Sequence, residues 1–367
     1  MSSSAAAGQQ SRMQRWFPGT AHPLIVSAPM AFMSNPKLAS EVSRANGLGF
    51  IQGGRTFKPD SASVRELDEQ LTLAKSLLQT QTGKHLPIGV GFVLFSDCAA
   101  THFGATTAPI LARHRPAAVW LFAPHPDHPD TLRRVVDAVR EAAAKEGEDW
   151  NPRLVVQVGT VAAARQAAEL GVDVIVAQGV DAGGHQFASA AGIVSLVPEV
   201  RDMVRDEFPD RDIAVWAAGG IADGRGVAAA LALGAEAVVM GTRYIVAHES
   251  DAQDYKRQAL LSASDGATNT VKSYVHDRVQ GNWTWPSLYD ARALVHPSYT
   301  DDLAGMAIKE NETRYKAAKE KGDVSMMVTW SGSGVGLIRD AAPAAEITEK
   351  VREEATRVIQ GLLKDSL

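Results

Sequence analysis

Eight short apolar runs of strand length recur between Leu24 and Met240, with helix-length segments between them. They are Leu24 to Ser27, Leu48 to Gln52, Ile88 to Phe95, Ala118 to Phe122, Leu154 to Val158, Val174 to Ala177, Ile213 to Ala217 and Ala237 to Met240. Most are continuously apolar, the pattern of strands buried on both faces of a parallel sheet. The stretches Pro36 to Ala45, Ser61 to Gln79, Thr131 to Lys145, Thr160 to Leu170 and Gly224 to Leu233 read as helices, and three of them stop at a glycine or Asn-Gly that caps the last turn. Such alternation leaves two architectures, an open doubly wound sheet or a closed (β/α)8 barrel. A doubly wound sheet ordinarily carries its glycine-rich loop after the first strand, where this chain has Ala28-Pro29-Met30. The richest glycine loops follow the sixth, seventh and eighth strands instead. Eight units between Leu24 and His248 also fit a barrel in number and length. The expected fold class is therefore α/β, a (β/α)8 barrel.

Beyond His248 the rhythm is lost. Residues 251–325 read as a smaller, mainly helical cap domain inserted late in the chain, with Ser250 to Arg257, Gln258 to Asp265 and Lys309 to Lys321 as helices. Trp283, Trp285 and Tyr289 cluster around Pro286 and are expected to form the small core of that insertion. Residues 326–367 return to the barrel (21–250), with the helix Glu346 to Leu363 closing its outer ring, and residues 1–20 read as a flexible N-terminus. Hydrophobic content of 45% and charged content of 22% are those of an ordinary globular protein. A net charge of -5 argues against nucleic acid or an anionic membrane as the main partner, and no apolar run approaches the roughly 18 residues of a membrane span. A single cysteine, Cys98, excludes an internal disulfide and fits a reducing, cytoplasmic setting. The start, rich in Ser and Ala with Arg12 and Arg15 and no acid, leaves organellar targeting open. Nothing in the sequence excludes a homodimer.

A barrel points the C-terminal ends of all its strands at one face, so loops distant in sequence converge there. On that face this chain places Ala28-Pro29-Met30, Gly53-Gly54, Gln178 through His185, Gly219-Gly220 and Met240-Gly241-Thr242. Glycine-loop N–H groups and helix N-termini bind anions, and Thr242 adds a hydroxyl. Gly219-Gly220 with Gly241-Thr242 therefore make a phosphate cradle. Arg243 is its one evident charge, which suits a cofactor monophosphate better than a metal-bound triphosphate. His185 follows Gly183-Gly184 directly and is the one side chain in the loop suited to proton transfer near neutrality. Asp181 could polarise it, but capping its own loop is the favoured role. His125 and His128 share a proline-rich loop without further ligands at a recognisable spacing, so no metal site is expected. Cys98 reads as a buried bystander. Gly332 to Gly336 lacks the spacing of a nucleotide loop.

Taken together, Gln178-Gly-x-x-Ala-Gly-Gly-His185, Ala217-Ala-Gly-Gly-Ile221, Val239-Met-Gly-Thr242 and Ala28-Pro-Met30 resemble the nitronate monooxygenase family, formerly 2-nitropropane dioxygenases. The resemblance implies a TIM barrel that holds FMN without covalent attachment under a smaller late domain. It implies oxidation of alkyl nitronates by O2 to carbonyl compounds plus nitrite, with a small nitro compound and O2 as reaction partners. Neutral nitroalkanes would first need their α-proton removed. Carried over by position, Ala28, Pro29 and Met30 would contact the flavin ring, and Gln178 and Gly183 the flavin and its ribityl chain. Gly220 with Val239, Met240, Gly241 and Thr242 would hold the phosphate, and His185 would act as base or orient the substrate. Ser331-Gly-Ser-Gly334 also resembles a family loop near the cofactor. Gly91 stands where bacterial members often carry an asparagine. Two alternatives remain: a flavin enoyl-thioester reductase using NAD(P)H, for whose acidic carrier no basic patch is visible, and a non-catalytic flavin-binding protein, for which His185 would be superfluous.

Overall fold

A computed structural model describes residues 10–81, 83–147 and 150–365. Its strands are β1 (Leu24–Ser27), β2 (Gly49–Gln52), β3 (Leu86–Val93), β4 (Pro116–Phe122), β5 (Arg153–Val158) and β6 (Val174–Gln178). They continue as β7 (Gly184–Phe187), β8 (Ala214–Ala218), β9 (Ala237–Met240), β10 (Thr270–Ser273) and β11 (Tyr289–Leu294). Eight of them form one parallel sheet in the order β1-β9-β8-β6-β5-β4-β3-β2. A parallel bridge between Val26 and Leu48 joins its two ends, with Ser27 N donating to Leu48 O at 3.1 Å and Leu48 N to Ile25 O at 3.0 Å. The sheet is thus a closed barrel, and the expected fold class holds.

Alternation along the strands sorts the side chains into two cores. One set fills the barrel: Val26, Phe50, Trp120, Val155, Val176, Trp216 and Val239 all lie within one buried cluster. Phe50 meets Trp120 edge-on at 5.3 Å, and Trp120 reaches Trp216 at 6.4 Å. Large rings need small neighbours at this packing density, which accounts for two glycines of β3. A Cβ at Gly89 would lie 2.1 Å from the Phe50 ring, and one at Gly91 would lie 2.4 Å from the ring of Pro29. At Gly91, then, Pro29 fills the space an asparagine side chain would need. The other set packs outward against the helices in a larger cluster. The last helix, Ala344–Asp365, lies against helices Gly224–Ala232 and Pro36–Arg44. Its buried Ile347, Val351 and Ala355 serve as the outer layer there. A Cβ at Gly224 would meet Glu354 at 2.3 Å, so the two helices touch at backbone range.

Three expectations need correcting. The first concerns the start of the chain, of which residues 1–9 lie outside the described residues. Residues 12–16 form a helix with a Ser11/Gln14 capping box. Met13 and Phe17 are 2% exposed and join the barrel-interior cluster, and Phe17 lies 5.9 Å from Trp216. The segment plugs the barrel instead of trailing from it, because Met13, Trp16 and Phe17 recur at helical spacing. The second concerns the make-up of residues 251–325, whose helices are accompanied by two strands that the sequence reading leaves out. These are β10 and β11, which pair antiparallel with each other and, through β11, with β7. The sheet is thus completed by a strand from the loop after β6. A strand reading Gly-His-Gln-Phe has no β-branched residue to announce it. The polar stretch at 250–265 is also one helix, Asp254–Ser262, not two.

The third correction is the aromatic cluster. Tyr289 is 1% exposed within the barrel-interior cluster, and Trp285 packs on Phe95 at 4.5 Å and Phe122 at 6.3 Å. Only Trp283 stays apart, half-exposed under Lys309 and Arg278. Two of the three rings therefore line the barrel mouth.

Candidate active site at the barrel mouth

β6 ends at Gln178, and the chain loops through Asp181 before returning as β7 with His185 near its start. Pairing of His185 with Ala291 on β11 fixes the height of the imidazole above the barrel. The ring lies flat on Trp285, with centroids 3.7 Å apart and planes 10° apart, and Trp330 meets it at 5.1 Å. Its Nε2 faces both carboxylate oxygens of Asp277 at 2.9 and 3.1 Å. Asp277 is 7% exposed and sits on the short helix Val275–Arg278. No sequence signal singled it out, because 92 positions separate it from His185. Asp181, the nearer candidate, turns away. Its carboxylate accepts from the Ser333 hydroxyl at 2.9 Å and its carbonyl from Ser333 N at 3.0 Å. Its side chain therefore ties a distant loop, and the expected cap on its own loop is not what forms.

Behind Asp277 lies a buried histidine pair. His276 Nε2 lies 3.0 Å from Val271 O and can only donate to it, so His276 Nδ1 accepts, at 2.9 Å, from His296 Nε2–H. Burial lowers the pKa of both, and that of His296 is pushed down to about 4. His296 thus stays neutral in the fold, whereas in the unfolded chain it protonates near 6.5. Between those values the unfolded state binds more protons, so stability is lost as the pH falls from 6.5 toward 4. For His296 alone the loss amounts to about 3 kcal/mol. Thermal unfolding followed across that window should show it, and His296→Asn should flatten the acid slope. An unchanged slope in the variant would remove His296 as the cause.

The remaining predicted residues fall into two groups. Gln178 is buried, and its Nε2 donates to His185 O at 3.2 Å. Its Oε1 has no partner among the described residues, an unsatisfied acceptor at the end of a barrel strand. Ala28, Pro29 and Met30 line the same mouth after β1. Ala28 N donates to Met240 O, and a Cβ at Gly241 would lie 3.7 Å from Met30 Sδ and 3.9 Å from Ala28 Cβ. Gly219 and Gly220 have φ of +118° and +71°, conformations that favour glycine. The N–H groups of Gly220, Ile221, Gly241 and Thr242 have no acceptor among the described residues, so free donors lie just beyond the ends of the adjacent strands β8 and β9. This corner can therefore hold a phosphate. Val239 faces the barrel interior and Met240 the outer helices, and both are paired in the sheet, so neither offers the corner a side chain.

The helix after Gly219-Gly220 is no anion site, because Asp223 already caps its Arg225 and Gly226 N–H groups. Arg243 is also spent. Its guanidinium is 6% exposed and donates to the Asp340 carboxylate and carbonyl at 2.7 Å each. The loop Ser331–Gly334 lies directly on the cradle instead. Gly332 N donates to Thr242 Oγ1 at 2.9 Å, and Cβ atoms at Gly183 and Gly334 would fall 2.4 Å from Gly332 N and Gly220 O. Cys98 is buried beside Ser96 and the Phe57 N–H. His125 and His128 lie 5.1 Å apart, and among the described residues no group of three metal-binding side chains forms. No helix among the described residues is long and apolar enough to cross a membrane.

The sequence profile of nitronate monooxygenase matches residues 129–354. A nitronate monooxygenase of Neurospora crassa is 45% identical, over 97% of this chain and 95% of its own. Among solved structures, FabK from Thermotoga maritima superposes with a TM-score of 0.70 at 27% identity, covering 97% of this chain and 99% of its own. A nitroalkane oxidase from Streptomyces ansochromogenes gives 0.68 at 25% identity, covering 96% and 100%.

Proposed function

The chain belongs to the nitronate monooxygenase family, an oxidoreductase of flavin type, and on that premise we propose that it uses FMN to oxidise alkyl nitronates with O2 to carbonyl compounds and nitrite. Neutral nitroalkanes enter the same route once His185 has taken their α-proton. The observation that carries this proposal is the shared mouth: an imidazole held by Asp277 and Trp285 stands over a strand end with a buried, unsatisfied Gln178 Oε1.

The residues present fit the cofactor. Gly220, Ile221, Gly241 and Thr242 would hold the phosphate through free donors, on the turn that Gly219 and Gly220 make at positive φ. Gly183 closes against the loop over that cradle, Gln178 Oε1 would accept from a flavin N–H, and Ala28, Pro29 and Met30 would bound the ring. Bound FMN would supply electron acceptance and reaction with O2. The chain itself supplies the rest. Phe95, Phe122 and Trp285 wall the mouth with apolar surface, excluding water and favouring a small, weakly polar substrate. His185 removes a proton only where the substrate still carries it.

Anaerobic mixing tests the proposal. The protein should release FMN on denaturation, ethylnitronate should bleach the bound flavin within turnover time, and NADH should not, since the sequence carries no Gly-x-Gly-x-x-Gly dinucleotide loop. Rapid bleaching by NADH with none by ethylnitronate would replace this function with the enoyl-thioester reductase.

A further inference from the structure

We propose that Asp277 is a positioning residue that locks His185 in the Nε2–H tautomer, so that Nδ1 is the nitrogen that takes the substrate proton. This rests on the base role given to His185 above. An ionised carboxylate only accepts hydrogen bonds, and both oxygens of Asp277 face His185 Nε2 at 2.9 and 3.1 Å. Nε2 must then carry the hydrogen, and the lone pair is left on Nδ1. That atom has no hydrogen-bond partner among the described residues and is not sealed from solvent.

Other features support the same division of labour. Asp277 is 7% exposed, and among the described residues His185 is the only ionisable side chain it bonds, with Asn282 Nδ2 adding a contact at 3.3 Å. Burying a lone carboxylate is costly, and the cost falls when its neighbour becomes an imidazolium. The other buried carboxylate nearby, Asp290, is already matched by Lys272 at 3.2 Å. The helix that carries Asp277 is itself fixed by His276, both of whose nitrogens are engaged. Trp285, stacked on the imidazole at 3.7 Å, holds the ring plane.

The step balances within the substrate and His185. The α C–H bond breaks, its proton bonds to Nδ1, and its electron pair moves into the nitro group to give the nitronate. The imidazolium that results donates from Nε2 to Asp277, which stays ionised. No oxidant enters at this stage.

Two measurements decide it. First, ¹⁵N shifts of histidine-labelled wild-type protein at pH 8, with His185 assigned by its loss in His185→Asn, should show the Nε2–H tautomer. The Nδ1–H tautomer would overturn the proposal, and this readout needs neither activity nor a folded Asp277 variant. Second, Asp277→Asn should lower kcat/KM for nitroethane by at least about tenfold, leave ethylnitronate within about threefold and keep its flavin, and Asp277→Glu should recover part of the loss. Equal losses on both substrates, or none, would overturn a positioning role. If the wild type oxidises neither substrate, the base role fails, while the tautomer still decides what Asp277 does to His185.

Discussion

His185→Asn should lose roughly 10²- to 10⁴-fold in kcat/KM on neutral nitroalkanes, while its oxidation of the matching nitronates falls far less. The side chain sits on β7, its backbone paired with Ala291, so the strand does not depend on the imidazole. Asparagine retains a donor for Asp277, which would otherwise be left as a buried charge without its partner. What it cannot do is accept the α-proton. Nitronates arrive already deprotonated and bypass that requirement. The test is kcat/KM for nitroethane and ethylnitronate in the same preparation, with flavin content measured. Equal losses would mean that His185 orients the nitro group, and no loss on either would remove it from the active site.

The barrel could be read from the sequence because its information is local. Runs such as Val174 to Ala177 and Ala237 to Met240 are strands wherever they fall, and both lie where expected. The glycine loops were legible for the same reason, since Gly219 and Gly220 do adopt positive φ. What stayed hidden depends on contacts between segments far apart. Asp277 reaches His185 only because β11 carries the late segment onto β7. Ser333 claims Asp181 across 152 positions. Trp285 and Tyr289 were visible as aromatics, but their neighbours Phe95, Phe122 and Phe187 come from three other loops and strands. Arg243 shows the converse: its sequence position beside Thr242 suggested an anion contact, and Asp340, 97 residues on, takes its guanidinium.

The same long-range packing makes one glycine decisive. Gly183→Ala should weaken flavin binding by roughly 10- to 100-fold, because a Cβ there lies 2.4 Å from Gly332 N and 2.5 Å from Ser331 C. Both are backbone atoms, so no side chain can swing aside, and overpacking of this kind costs about 1–3 kcal/mol. The loop Ser331–Gly334 must move. It is held by Thr242 Oγ1 and by the Asp181 carbonyl and carboxylate, so its movement disturbs the phosphate cradle directly. Gly184→Ala is the control. Its φ of +69° makes alanine strained, yet a Cβ there meets nothing within 4 Å, so a backbone cost of about 1–2 kcal/mol falls on β7 and the loop over the cradle stays in place. Titration of flavin-stripped protein with FMN, read by quenching of flavin fluorescence, should separate the two variants. Equal affinities for both, or wild-type affinity in Gly183→Ala, would show that the 331–334 loop plays no part in holding the cofactor.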